Sequence, residues 1–203
     1  MNVECLVLGE LGVNCYLITE GKEAIVIDPG DEAQRIISAI EKRGCSLRKI
    51  LLTHGHFDHI GAVSDLAEKT GADVYIHSRD NKMLTDNDCN LSFLTGRGIK
   101  TYDKAKDIDD LKEITLGESV IKLYHTPGHS EGSVSYLCEG KLFCGDLIFK
   151  GSIGRYDFGD LYTELNSIRF LMDNLPDETV IYPGHGPSTT IGREKVFNPY
   201  MMS

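Results

Sequence analysis

The sequence predicts an α/β protein folded as a four-layer αββα sandwich: two mixed sheets pack face to face, and helices cover both outer faces. Short strands come first in a run, strands then alternate with helices, and this order occurs twice along the 203 residues. Each sheet and each helix needs a partner layer for its apolar surface, which favours this stacking. The length suits one compact domain over residues 1–203.

In the first half of the chain, the period of the apolar residues indicates each element in turn. The predicted elements are strands at 3–8, 14–20 and 23–30, a helix at 32–42, a strand at 48–53, a helix at 60–69 and a strand at 73–77. The helix at 32–42 has apolar residues at helical spacing and ends before Gly44. The strand at 48–53 is a continuous apolar run, typical of a strand buried on both faces.

The middle segment, residues 79–113, is polar and weakly periodic, and it predicts a loop-rich excursion. The excursion could be a lid over a site, an oligomer contact or a plain loop, and the sequence leaves these open. Regular patterns return after it. The predicted elements are strands at 118–125, 133–138 and 141–149, a helix at 161–175 and a final strand at 179–184.

The net charge and the hydropathy of the chain indicate which kinds of partner it can bind. Asp and Glu outnumber Lys and Arg by 31 to 21, which gives a formal net charge of −10. Nucleic-acid binding draws on basic side chains that meet phosphates, so this balance argues against a nucleic-acid surface but permits a small anionic substrate. No run approaches the roughly 18 apolar residues of a membrane span, and the N-terminus has no secretory pattern. We therefore expect a cytoplasmic protein without membrane contact; its oligomeric state stays open.

The most informative segment follows the strand at 48–53 and reads Thr-His-Gly-His-Phe-Asp-His. It brings His54, His56, Asp58 and His59 into six residues, and such a cluster is costly unless its polar heads are satisfied. His54 and His56, two residues apart in extended chain, point the same way. Asp58 and His59 fall where the chain turns into the next helix, so they can face an adjacent point. One segment could therefore serve two metal ions.

Three more candidates lie downstream, each at the end of a strand and beside glycine: His129, Asp146 and His185. Glycine lets the backbone approach closely, and strand ends that converge on one rim are where sites are usually built. One such histidine alone is more often a capping or core residue, but packing gives no reason to cluster the whole set. Five histidines and two aspartates form an N/O ligand set that suits zinc, iron or manganese. The remaining histidines, His77 and His125, are expected to be structural.

This order of residues, HxHxDH followed by His, Asp and His, resembles the metallo-β-lactamase superfamily. Within it the chain resembles glyoxalase II, and more closely the short single-domain glyoxalase II-like (hydroxyacylglutathione hydrolase-like) hydrolases. The shared motifs are Gly-Val-Asn-Cys-Tyr-Leu at 12–17, Asp-Pro-Gly at 28–30, HxHxDH, Thr-Pro-Gly-His-Ser, Phe-Cys-Gly-Asp, Gly-Ser-Ile-Gly-Arg at 151–155, Tyr-Pro-Gly-His-Gly-Pro, and the tail Ile-Gly-Arg-Glu with Asn-Pro-Tyr. The resemblance covers nearly the whole chain and implies the αββα fold with metals at one edge.

The resemblance also implies a set of metal ligands. It assigns His54, His56 and His129 to one metal, Asp58, His59 and His185 to a second, and Asp146 to a bridging position. Asp28 matches the family's aspartate that orients a ligand histidine through its free ring nitrogen. The implied cofactor is a pair of divalent metal ions, zinc first, with iron or manganese as alternatives.

The implied reaction is hydrolysis of a thioester, S-2-hydroxyacylglutathione or a relative of it, to a free acid and a thiol. Two metals can lower the pKa of a shared water, and the resulting hydroxide attacks the carbonyl carbon. Asp58 is the expected catalytic residue, because it could both ligate a metal and orient the nucleophile. A thiolate leaves without a strong acid, since the pKa of a thiol is about 8.5.

Three further residues are expected on the substrate side. Arg155 matches the basic residue in the family's loop after the bridging aspartate, Lys150 is nearby, and Tyr182 flanks the same rim. We expect Arg155 to bind a substrate carboxylate. The helical C-terminal domain that carries much of glyoxalase II's glutathione site has no counterpart after His185, which leaves the thiol carrier open. The alternatives are a mononuclear-iron persulfide dioxygenase, and a lactonase or other ester hydrolase of the same superfamily.

Overall fold

The computed structural model describes residues 1–96 and 98–201, and it confirms the predicted class of fold. Two mixed six-stranded sheets pack against each other, with helices on their outer faces. The first sheet contains β1 (Asn2–Leu8), β2 (Val13–Glu20), β3 (Glu23–Ile27), β4 (Ser46–Leu51), β5 (Asp73–Ile76) and β6 (Lys106–Asp107), neighbours in that order. The pairs from β1 to β3 are antiparallel, and those from β3 to β6 are parallel.

The second sheet comes from the later part of the chain. Its strands are β7 (Glu113–Leu116), β8 (Ser119–His125), β9 (Val134–Cys138) and β10 (Lys141–Gly145); β11 (Ile148–Phe149) and β12 (Ser152–Ile153) form a separate hairpin, and β13 (Val180–Pro183) and β14 (Thr189–Thr190) complete the sheet. The spatial order is β14-β13-β10-β9-β8-β7. Because β10 and β13 are parallel, their carboxyl ends meet at one edge.

Alternation along β3 divides its side chains between two apolar layers. Ile25 and Ile27 pack with Tyr136 and Phe143 of the second sheet, whereas Val26 packs on the side of the helices. Full burial of an isoleucine side chain stabilises the fold by roughly 1.5–3 kcal/mol. The apolar layer between the sheets therefore fixes the position of each sheet edge, and of the loops that leave it, relative to the other sheet.

The helices are α1 (Ala33–Lys42), α2 (Phe57–Ile60), α3 (Val63–Thr70), α4 (Leu161–Asn174) and α5 (Ile191–Phe197). α1 buries Ile36, Ile37 and Ile40, as the helical spacing predicts. α5 was not predicted. Within the described residues, no helix is long and apolar enough to span a membrane.

The predicted helix at 60–69 is observed as α3, which begins at Val63; a separate helical turn, α2, precedes it and ends at Ile60, before Gly61. A Cβ on Gly61 would overlap the carbonyl oxygen of Gly30, and a Cβ on Gly30 would overlap that of Asp58. The Asp-Pro-Gly loop after β3 therefore packs backbone against backbone on α2. This close approach determines where the helical turn that carries Asp58 and His59 begins.

The excursion at 79–113 is mostly irregular, as predicted. It contains most of a 3-10 helix, Ser78–Leu84, a second one at Ser92–Thr95, the short strand β6 and the first residue of β7. The first 3-10 helix lies against the HxHxDH segment, since a Cβ on Gly55 would be 2.5 Å from the Met83 Cβ.

Candidate metal centre

The HxHxDH segment leaves β4 in extended conformation and then enters α2. His56 precedes the first residue of α2 and has torsion angles of φ −65° and ψ 148°. The side chains of His54 and His56 lie in the extended part, and those of Asp58 and His59 lie in the helical turn. The change of conformation directs the two pairs towards neighbouring points, as the sequence predicts.

The first group of side chains at this edge contains His54, His56 and His129. One ligand atom from each lies within 4.8 Å of the other two. Nε2 of His129 is 2.9 Å from Nδ1 of His56. His129 is in the loop between β8 and β9, so the second sheet contributes to a group that begins on the first. All three side chains are buried.

The second group contains Asp58, His59 and His185, whose ligand atoms also lie within 4.8 Å of one another. Nε2 of His185, which follows β13, is 3.1 Å from Oδ2 of Asp58. The side chains of Asp58 and His185 are 16% and 27% exposed, whereas that of His59 is 0% exposed. This group is therefore open to solvent on the side of Asp58 and His185.

The carboxylate of Asp146 lies between the two groups. Its Oδ1 is 3.4 Å from Nε2 of His59, and its Oδ2 is 3.7 Å from Nε2 of His185 and 3.9 Å from Nε2 of His129. A Cβ on Gly184 would overlap Oδ1 of Asp146, so the glycine before His185 is needed for this approach. One carboxylate thus reaches both groups: Oδ2 lies near a histidine of each group, and Oδ1 lies near His59 of the second.

The buried polar atoms at this edge indicate that a cation fits. Nε2 of His54, Nε2 of His59 and Oδ1 of Asp146 are buried and have no hydrogen-bond partner among the described residues. A buried polar atom without a partner costs about 1–3 kcal/mol, and native structures contain few of them. All three atoms belong to the N/O donor set that divalent metals bind, and a metal ion in each group would satisfy them.

Three of the candidate histidines, His54, His59 and His129, have an outer ring nitrogen that is already bonded. Asp28 accepts hydrogen bonds from the backbone N–H of Thr53 at 2.8 Å, from its hydroxyl at 2.6 Å, and from Nδ1 of His59 at 3.0 Å. The Thr53 hydroxyl is 3.0 Å from Nδ1 of His54. Nδ1 of His129 donates to the carbonyl oxygen of Arg155 at 2.7 Å. Such bonds fix ring orientation and tautomer; Asp28 has this orienting position, since both its oxygens already accept.

Burial controls the protonation of the first group. It lowers the pKa of His54 well below the usual value and lowers the pKa of His56 to about 3. The neighbouring histidines lower both pKa values further. Both imidazoles are therefore neutral at pH 7, and each has a nitrogen lone pair that can bind a metal.

In the second group, neighbouring carboxylates favour the protonated form of both histidines. Burial lowers the pKa of His59, but Asp146 and Asp58 outweigh it and raise this pKa well above its usual value. Burial also opposes protonation of His185, but its hydrogen bond with Asp58 and the charge of Asp146 raise the pKa. Burial raises the pKa of Asp146, but the nearby His59 outweighs burial and holds it well below its ordinary value. Metal binding here would release protons.

Within the described part of the chain, the side chains expected on the substrate side are not hydrogen-bonded to the candidate ligands. The exposed guanidinium of Arg155 pairs with the carboxylate of Asp157, with Nε 3.0 Å from Oδ1, and lies 5.1 Å from the Phe158 ring centre. Lys150 is exposed between β11 and β12. Tyr182 is half-buried. Its ring stacks on Phe143 at 5.1 Å and meets Tyr16 edge-on at 5.4 Å.

The two histidines expected to be structural also lie apart from the ligand groups. The rings of His77 and His125 stack on each other, 4.2 Å apart.

Sequence reasoning missed the side chains that hold the His185 loop. Nδ2 of Asn14 donates to the carbonyl oxygens of Pro183, at 3.0 Å, and Gly186, at 2.8 Å. The Tyr16 hydroxyl donates to the same Pro183 oxygen at 2.6 Å. Asn14 and Pro183 are 169 residues apart, so no local spacing could connect them. The only sequence signal is the motif at 12–17, whose role the sequence did not reveal.

Residues 8–185 match the family model described as the metallo-beta-lactamase superfamily. The "Probable metallo-hydrolase YqgX" of Bacillus subtilis (strain 168) is 36% identical over 200 residues, 96% of this chain and 94% of that protein. The "Hydroxyacylglutathione hydrolase GloC" of Haemophilus influenzae is 34% identical over 218 residues, 100% of this chain and 99% of that protein.

Solved structures have the same fold at full length. The BLEG-1 B3 metallo-beta-lactamase has a TM-score of 0.94 and 39% identity, and the match covers 100% of both chains. TTHA1623 in a di-iron-bound form has a TM-score of 0.87 and 35% identity, covering 98% of this chain and 100% of that one. The two sheets with His/Asp groups at their edge define a metal-dependent hydrolase. The chain belongs to the metallo-β-lactamase superfamily.

Proposed function

We propose that the protein is a thioesterase with two divalent metal ions, hydrolysing S-2-hydroxyacylglutathione or a related small thioester. The observation that carries this proposal is the position of Asp146, within 3.9 Å of histidines from both ligand groups. The substrate class is supported by the hydroxyacylglutathione hydrolase that is 34% identical over the whole chain. In this proposal His54, His56 and His129 hold one ion, Asp58, His59 and His185 hold the other, and Asp146 contacts both.

When bound, two such ions would lower the pKa of a water and polarise the substrate carbonyl. Zinc is the first candidate, and iron and manganese are the alternatives. Iron is supported as an alternative by TTHA1623, a 35% identical protein whose structure is in a di-iron-bound form. The unpartnered nitrogens of His54 and His59 and the free oxygen of Asp146 supply donors that are already buried and oriented. Three of the seven proposed ligands therefore already present a free and oriented donor atom.

Asp58 is the proposed catalytic residue. Its carboxylate is on the solvent-accessible side of the second group, 3.1 Å from His185. Burial raises its pKa, but the charge of His59 and the hydrogen bond from His185 outweigh this and lower it. An ionised Asp58 can accept a hydrogen bond from an attacking water and orient it towards a carbonyl carbon. The departing thiolate needs no acid, since the pKa of a thiol is about 8.5.

Arg155 and Lys150 are the proposed contacts for an anionic thiol carrier. Arg155 would exchange its exposed partner Asp157 for a substrate carboxylate. The exchange is inexpensive, because an exposed ion pair contributes only about 0–1 kcal/mol. Tyr182 is proposed only as a support for the rim, since its ring contacts Tyr16 and Phe143. The formal charge of −10 favours a small molecule over a nucleic acid.

Ring-opening hydrolysis of a lactone or β-lactam is the second candidate. It is favoured by the 39% identity to a B3 metallo-beta-lactamase over the full length of both chains. The same attack on a carbonyl carbon would serve both reactions. They differ in the leaving group: a thiolate departs unprotonated, whereas the nitrogen of a β-lactam and the alkoxide oxygen of a lactone need a proton in order to depart.

The deciding experiment is a comparison of substrates on protein of known metal content. We expect hydrolysis of S-D-lactoylglutathione, and a fall of about 100-fold or more in kcat for Asp146→Asn, since this variant lacks the carboxylate that would contact both ions. The matched control is Asp173→Asn, an exposed aspartate on α4. Faster turnover of a β-lactam or lactone would transfer the proposal to the second candidate. One iron per chain with oxygen consumption on glutathione persulfide would instead identify the dioxygenase.

A further inference from the structure

We propose that Asp80 is a positioning residue for one half of the metal centre, the half formed by His54, His56 and His129. Asp80 lies in the 3-10 helix Ser78–Leu84, at the start of the 79–113 excursion, and its side chain is 0% exposed. This inference rests on the proposed two-metal centre and is independent of the substrate class. It also gives the start of the excursion a definite role.

The carboxylate of Asp80 accepts hydrogen bonds from two ligand loops: the segment that carries His54 and His56, and the loop between β8 and β9 that carries His129. Its Oδ2 accepts from the backbone N–H of Gly55 at 3.3 Å and from the hydroxyl of Ser130 at 2.6 Å. Its Oδ1 accepts from the backbone N–H of Gly132 at 2.8 Å. Gly55 lies between two ligands of the first group, and Ser130 follows the third. Asp80 thus ties together loops from both sheets.

The packing around Asp80 leaves little room for either loop to move. A Cβ on Gly132 would be 2.6 Å from both Cγ and Oδ1 of Asp80. A Cβ on Gly55 would be 2.5 Å from the Cβ of Met83, in the same 3-10 helix. Both glycines therefore let the loop backbones lie directly on the helix. In this arrangement, a shift of Asp80 displaces the two loops together.

The contacts of Asp80 are confined to one half of the centre. Its hydrogen bonds, as the described residues show them, reach Gly55, Ser130 and Gly132 but neither α2 nor the His185 loop. Those parts have other supports: Asp28 bonds to His59, and Asn14 bonds on both sides of His185. A change at Asp80 should therefore weaken one metal position and spare the other.

Asp80→Asn tests this asymmetry, because the amide keeps the volume but its Nδ2 cannot accept the bonds that Oδ2 accepts. The measurement is equilibrium dialysis against Zn²⁺, with metal per chain counted over a range of free zinc. We expect two Zn²⁺ per wild-type chain. In the variant one Zn²⁺ should stay tight and the other should bind roughly 10- to 100-fold more weakly, the usual loss when an outer partner of a ligand is removed.

The identity of the weakened position comes from the Co²⁺ absorption spectrum. His56→Ala and His185→Ala, which each remove one ligand from a different group, provide the two reference spectra. At low Co²⁺, the spectrum of Asp80→Asn should match that of His56→Ala, since both keep the Asp58, His59 and His185 group. A match to His185→Ala would overturn the proposal.

The control is Asp86→Asn. Asp86 lies in the same excursion and accepts bonds from the backbone N–H groups of Asp88 and Cys89; within residues 1–96 and 98–201 its side chain has no hydrogen bond to the HxHxDH segment or to the loop of His129. It should bind two Zn²⁺ as the wild type does. Ser130→Ala removes one bond to Asp80 and should weaken the same position to a smaller extent; it decides the question if Asp80→Asn does not fold.

The zinc counts separate a failure of the two-metal centre from a failure of the positioning role of Asp80. Fewer than two Zn²⁺ on the wild type would contradict the two-metal centre itself, and the role of Asp80 would fall with it. Two Zn²⁺ on the wild type and unchanged affinity in both Asp80→Asn and Ser130→Ala would overturn the positioning role alone. Equal weakening of both positions would overturn it as well, because the contacts of Asp80 favour one group.

Discussion

The two nitrogens of the His59 ring have different surroundings, and the difference explains how the residues around it prepare a ligand. Nδ1 is 3.0 Å from Asp28, while Nε2 is buried without a hydrogen-bond partner. The two ring nitrogens of His54 differ in the same way: Nδ1 is 3.0 Å from the Thr53 hydroxyl, and Nε2 has no hydrogen-bond partner among the described residues. In both rings the outer bond holds the orientation, and the inner nitrogen is left for a cation. The cost of the unpartnered atoms is offset only when a cation binds.

Glu164 is also buried without a partner, but it is not one of the candidate ligands. It lies in the first turn of α4 with 0% exposure, and neither carboxyl oxygen has a hydrogen-bond partner in the part of the chain that the structure describes. Burial raises its pKa to about 8. An ionised carboxylate in this position would be strongly destabilising, so the folded protein keeps Glu164 protonated at pH 7.

We predict that Glu164→Gln stabilises the protein at high pH only. In the unfolded chain the pKa of a glutamate is about 4.3, so between that value and about 8 the folded state binds the extra proton and stability falls as pH rises. The neutral glutamine lacks this loss. Urea denaturation of metal-free protein should give similar free energies of unfolding at pH 5 and a gain of several kcal/mol for the variant at pH 9, since each pKa unit between the two states corresponds to about 1.36 kcal/mol. Parallel pH curves for Glu164→Gln, wild type and the exposed control Glu178→Gln would contradict it.

At the scale of elements, β2 supports the site although it carries no candidate ligand. Asn14, near its start, bonds to two carbonyl oxygens that flank His185, and its backbone N–H donates to Gly184 at 2.7 Å. A strand of the first sheet therefore holds a loop of the second. This contact makes the position of His185 depend on how the two sheets are packed.

We predict that Asn14→Asp weakens the second metal position. The carboxylate would face the carbonyl oxygens of Pro183 and Gly186 with no hydrogen to donate, so the loop should move away. Zinc dialysis should show one of two ions bound roughly 10- to 100-fold more weakly. The control is Asn174→Asp, since Asn174 is exposed and donates only to its own helix, at Phe170. Unchanged binding in Asn14→Asp would show that the loop holds His185 unaided.

The elements and residues that the sequence predicted are those with a local signal. α1 has apolar residues at helical spacing, and the HxHxDH segment has an unusual composition. α5 lacked such a signal, because it buries Glu194 beside Ile191 and so has no regular apolar face. Asp80 and Asn14 are ordinary polar residues whose partners lie up to 52 and 172 residues away. Their roles depend on tertiary contacts that no short pattern records.

At the scale of the whole molecule, the candidate ligands come from both sheets. His54, His56, Asp58 and His59 follow β4 of the first sheet, and His129, Asp146 and His185 follow β8, β10 and β13 of the second. The sheets are otherwise joined by the apolar layer around Phe143 and Tyr136. Ions bound at this edge would connect the two sheets through polar bonds at the place where the apolar layer ends.

We therefore predict that removing metal lowers the stability of the whole fold. A ligand that binds only the folded state stabilises it by about 2.7 kcal/mol at 100 times its dissociation constant, so protein in a chelator should unfold at lower urea than protein in excess Zn²⁺. Asp146→Asn should lose most of this difference, because its carboxylate reaches histidines of both groups. The exposed Asp173→Asn should keep it. An equal metal-dependent shift in Asp146→Asn and wild type would mean that the ions bind without Asp146, and no shift in the wild type would mean that the ions do not stabilise the fold.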